Sequence, residues 1–133
     1  MAAHWLITRK CIDTVGGFSP SFYHYGEDNN YIHRTNYWKL KVGIVPSAKA
    51  VHDRSCPIWD SKTEKHIRYV KTIEAVSNPI QKLSLNRLFI SKLKHSIRHR
   101  DKDEFISAYR LFKNRKSINQ NYEKSLVEKA FLT

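Results

Sequence analysis

Apolar positions fall into two regimes along this chain, and the change comes near residue 60. Beyond it they recur at helical spacing. Ile67, Val70, Ile73 and Val76 form one stripe, closed by Asn78-Pro79. Leu85, Phe89, Leu93 and Ile97 form a second, at steps of four. Asp101 and Glu104 stand at the spacing of a capping box ahead of Phe105, Tyr109 and Phe112. Tyr122, Leu126 and Ala130 predict a last helix.

Ahead of residue 60 the apolar residues come in short runs. "HWLITRKCI" begins as a strand through Trp5, Leu6 and Ile7. "RKCIDTVGG" predicts one or two helical turns closed by Gly16 or Gly17, where positive φ is cheap. Residues 18–26 read as loop, and "DNNYIHRTNYW" as a helix with Asp28 near its start. "KVGIVPSAKAVH" predicts a strand, a break at Pro46 and a second extended piece ending at His52. Two strands are too few for an independent sheet, so residues 1–60 read as part of a domain. Residues 61–133 read as a basic helical extension.

Composition adds a field to this pattern. The 133 residues carry a formal charge of +12 and are 41% apolar, enough to bury a core. Residues 1–60 hold 7 Lys/Arg and 5 Asp/Glu, whereas residues 61–133 hold 17 and 7, a net of +10. Such a field attracts nucleic acid, anionic lipid or phosphorylated ligands without choosing among them. No run approaches a spanning helix, and the first residues lack the apolar core of a secretion signal. Cys11 and Cys56 fit free thiols in a reducing compartment, or a single disulfide. With His24 and His52 they match no common zinc-finger spacing.

Against this basic background, "GGFSPSFYHYGEDNNYIHR" places two adjacent acids, Glu27 and Asp28, behind a glycine and a crowd of aromatics. The ordered series "WLITRKCIDTVGGFSPSFYHYGEDNNYIHR…VGIVPSAKAVH" resembles the second half of a family 2 glycosyltransferase catalytic domain of GT-A type. The resemblance covers roughly residues 3–54 and leaves out the helical stretch. It implies an α/β fold: a partial GT-A domain lacking its N-terminal half, followed by a mainly α-helical tail.

The resemblance also implies inverting transfer of a sugar from a nucleotide diphosphate to an acceptor hydroxyl, in polysaccharide or glycan biosynthesis. A hydroxyl is a weak nucleophile at neutral pH, so a carboxylate must take its proton. Asp28 stands at the position of that base, with Glu27 beside it to bind the acceptor or position the base. Tyr23, Tyr25 and Trp5 are candidates to stack on the acceptor's sugar rings. His52 stands where a late histidine completes a Mn or Mg shell in many members. Arg34 is a candidate for a phosphate contact or a structural ion pair. The Asp-x-Asp metal motif and the nucleotide pocket belong to the family's first half and are absent before residue 28, so this chain alone is expected to be inactive. "DKD" at 101–103 sits at a predicted helix start and is given no metal role.

Three positions depart from the family's pattern: Ser19 and Asn30 where acids are frequent, and Lys39 where glycine closes the helix. Implied partners are a nucleotide-sugar donor and a sugar or lipid-linked acceptor. The implied location is the cytoplasm, peripheral to the inner face of the membrane, because cations flanking apolar stripes suit an anionic surface. Two alternatives remain open: a basic helical nucleic-acid binder, which no recognised motif supports, and a non-catalytic interaction module.

Overall fold

The computed structural model describes residues 4–51 and 60–132. Its elements in order are α1 (Arg9–Val15), α2 (Glu27–Tyr37), α3 (Ser61–Ser77), α4 (Leu85–His99) and α5 (Lys102–Ser125). Among the described residues there is no strand. This overturns the α/β expectation. The segments read as strands, around residues 5–7 and 41–51, are irregular, and no described residue pairs with them as a strand. The reason is physical: a helix satisfies its own backbone, whereas a strand needs a neighbour to accept and donate its hydrogen bonds. Among the described residues these segments have none, and Leu6, Ile44 and Val51 stand 91–98% exposed.

The long helices form where their ends can be satisfied locally. Asp60 caps α3 by accepting from Thr63 N–H at 2.8 Å, and Ser84 caps α4 through Arg87 N–H at 3.4 Å. Asp101 caps α5 through Asp103 and Glu104 N–H. The expected capping box is only half made. Asp101 N–H goes to the Ser96 carbonyl, and Glu104 turns to Lys92 at 2.8 Å. Arg100 takes a left-handed φ of 52° at the tight α4–α5 turn.

Val70, Ile73 and Val76 of α3 enter the core with Leu85, Leu111 and Ile118, as the first stripe predicts. Burying each such side chain contributes about 1.5–3 kcal/mol. Helix α5 departs from its predicted stripe: Ala108, Leu111 and Ile118 are buried, while Phe105, Tyr109 and Phe112 are about half exposed. It also continues through Tyr122, so the predicted last helix is the end of α5 followed by turns.

The front and back of the chain are joined. Phe22, from the aromatic loop, inserts into the core cluster. Asn121 donates to the Ser21 hydroxyl at 2.9 Å. Gly17 N–H donates to the Ala130 carbonyl at 2.7 Å, and Lys129 N–H to the Thr14 carbonyl at 3.2 Å. Gly16 holds φ at 86°, and a Cβ there would lie 1.9 Å from the Ala130 carbonyl oxygen. The Gly-Gly pair therefore serves both as the end of α1 and as the seat of the returning chain.

Candidate functional site: the acidic turn of helix α2

Gly26 precedes α2 with φ of 80°, a conformation that favours glycine. It is also pressed against α3: a Cβ would come within 2.5 Å of Val70 and 3.1 Å of Glu74. With no side-chain cap at this end, Glu27 and Asp28 occupy the first turn, where the positive end of the helix dipole favours anions. Asp28 is half-buried and its Oδ1 accepts from Asn29 N–H at 2.9 Å. Burial pushes its pKa up, but hydrogen bonds to the charged form outweigh it, leaving the carboxyl below the usual range. Glu27 differs from its neighbour: its Oε2 is buried and has no hydrogen-bond partner among the described residues.

Asn29 donates to Glu74 of α3 at 2.9 Å. Asn30, where the resembled pattern often has an acid, is buried and donates to the Ser77 carbonyl at 3.5 Å. An amide suits that position because it can donate to a carbonyl, as a carboxylate cannot. Sequence reasoning missed Glu74 and His66. They lie beyond the boundary drawn at residue 60, and nothing in their own stripe marks them.

The aromatic candidates separate into three environments. Tyr23 is fully exposed. Tyr25 holds a left-handed φ of 67° and lies between His24, at 4.1 Å between ring centroids, and His66 at 6.2 Å. His66 Nε2 is 2.9 Å from the His24 carbonyl, which anchors this loop to α3. Trp5 belongs to a separate cluster with Phe18 and Tyr31, at 6.2 and 5.8 Å.

Arg34 is fully buried. Its guanidinium donates to the Gly17 carbonyl at 2.6 Å and to the Val15 carbonyl, closing the C-terminal end of α1. The rings of Tyr31 and Phe131 lie 5.7 and 5.0 Å from its Cζ. Carbonyls thus stand where an ion pair or a phosphate was expected. Burial pulls its pKa down to about 10, so it remains charged at neutral pH. Tyr31 completes this knot, donating to the Gly16 carbonyl at 3.1 Å beside Cys11 Sγ at 3.7 Å. Its phenol is pushed up by burial and then by Cys11.

His52, the candidate metal ligand, lies outside the described residues, as does Cys56. Among the described residues no three His, Cys, Asp or Glu side chains gather as a metal site. They do not by themselves fit the divalent ion that the resemblance implies, and no step is routed through one. A polar cleft of about 90 Å³ between the starts of α3 and α5 is lined by paired charges such as Lys65 and Asp103, 3.0 Å apart. The chain matches no protein-family model, no curated protein and no solved structure.

Proposed function

We propose that this chain supplies the acceptor-binding and proton-accepting part of a sugar-transfer enzyme, with Asp28 as the base. The observation that carries this reading is the acidic turn itself: a half-buried carboxylate at a helix start, accepting from the Asn29 amide, on a loop with exposed Tyr23. The acceptor hydroxyl gives its proton to Asp28 as its oxygen bonds the sugar's anomeric carbon. The bond from that carbon to the nucleotide diphosphate breaks, and the leaving group takes the electron pair, with inversion at carbon. Glu27 accepts a hydrogen bond from the acceptor. Tyr23 stacks on an apolar sugar face. Donor binding is assigned to no described residue, so the purified chain is expected to turn over no nucleotide sugar.

NMR titration of the chain with a panel of neutral oligosaccharides tests the acceptor role. The expected result is a response at the amides of Tyr23, Tyr25 and Glu27, weakened about fivefold by Tyr23→Ala. No response to any saccharide in the panel, or an unchanged one in Tyr23→Ala, overturns it.

A further inference from the structure

Helices α4 and α5 pack as an antiparallel hairpin, and their outward surface is unusually apolar. Ile90, Ile97, Phe105, Tyr109 and Phe112 stand 49%, 69%, 53%, 58% and 44% exposed. Singly exposed apolar residues need no explanation, but a cluster does. The aromatic residues share one surface: the rings of Phe89 and Phe112 meet across the hairpin at 5.3 Å, and Phe105, Tyr109 and Phe112 help to line an apolar cavity of about 110 Å³ with Leu93; Ile90 and Ile97 stand three residues before and four after Leu93 on the same helix.

Exposed cations flank that surface. On α4, Arg87, Lys94 and Arg98 recur at the spacing of Ile90 and Ile97. On α5, Lys113 and Lys116 stand four residues after Tyr109 and Phe112. Residues 85–125 carry 11 Lys/Arg against four Asp/Glu. All four acids are engaged elsewhere: Asp101 in the α5 cap, Asp103 with Lys65, Glu104 with Lys92 and Glu123 with Lys82. Among the described residues, the five flanking cations enter no ion pair.

We infer that the α4–α5 hairpin docks, lying in the plane of the surface, onto an anionic lipid bilayer. The apolar side chains enter the acyl boundary while the flanking lysines and arginines meet lipid phosphates. No described helix is long and apolar enough to cross a membrane, which leaves contact along the surface. Nucleic acid would use the cations, but its backbone offers nothing to Ile90, Ile97 or Phe105. This inference stands apart from the sugar-transfer reading, since neither Asp28 nor its loop takes part.

Vesicle co-sedimentation of the full chain decides it, using phosphatidylcholine alone and phosphatidylcholine mixed with phosphatidylglycerol. Binding is expected to the anionic vesicles only and to weaken as salt is raised. Lys113→Glu and Lys116→Glu should each weaken it by at least about fivefold. Ile97→Asp and Phe105→Ser should weaken it as much while leaving the thermal midpoint within a few degrees of the parent. A short DNA duplex forms the second arm. Equal binding to neutral vesicles, no binding to anionic ones, or anionic binding unaffected by both apolar substitutions would overturn the proposal. So would tighter binding to the duplex than to anionic vesicles.

Discussion

Residues 4–51 and residues 60–132 solve the same problem by different means. The later stretch builds long helices, each started by a side-chain cap and held by an apolar stripe. The earlier stretch has two short helices, two left-handed residues around its acidic turn, and a knot of hydrogen bonds from Arg34 and Tyr31 to the backbone. Much of the later stretch would satisfy its backbone from local sequence. The earlier one depends on particular atoms arriving from far along the chain, such as the Ala130 carbonyl at Gly17. The proposed site lies where this second kind of structure meets the start of α2, and irregular backbone can aim side chains that a regular helix cannot.

Gly16→Ala should break this contrast most sharply. The new Cβ meets the Ala130 backbone and the φ of 86° turns unfavourable, so a loss of about 3 kcal/mol or more is expected. Chemical denaturation measures it; a loss below about 1 kcal/mol would mean the returning chain does not need this seat. Arg34→Lys comes next. Lysine keeps the charge but cannot reach two carbonyls with a rigid fork, and a loss of about 2 kcal/mol is expected in the same experiment. In the later stretch, Ser84→Ala should cost only about 1 kcal/mol, the worth of one cap. A larger loss there than at Arg34 would reverse the comparison.

The smallest expected effect concerns pH. Asp60 is held below the ordinary carboxylate range by hydrogen bonding to Thr63, and Asp101 by the Glu104 amide. A depressed folded pKa gives stability that is present above the unfolded value, about 4, and lost as pH falls through the folded one. Thermal midpoints should therefore decline below about pH 4, and less steeply in Asp101→Asn. An unchanged decline in that variant would remove Asp101 from the account.

The helices of the later stretch were legible in the sequence because period and cap are local signals. Val70, Ile73 and Val76 are buried as their spacing predicts. The face of α5 was not legible. Phe105, Tyr109 and Phe112 have the stronger apolar signal, yet packing against α3 and α4 selects Ala108 and Leu111, which allow closer approach. Segments rich in β-formers failed as strands because propensity cannot provide a partner. At the site, the acidic pair and its helix start were legible. The contacts of Asn29 with Glu74 and of Gly26 with Val70 were not, since they join residues more than forty positions apart.

The role of Asp28 is tested most directly by Asp28→Asn in the intact sugar-transferring system, with labelled sugar incorporation as the readout. Asparagine is nearly isosteric and can remain at the helix start, but it cannot take the acceptor's proton. The expected result is a loss of at least about 100-fold in kcat, with the thermal midpoint and donor binding unchanged. Glu27→Gln should act mainly on KM for the acceptor. A near-parental kcat in Asp28→Asn would show that the carboxylate merely stabilises the first turn of α2, and would contradict its assignment as the base.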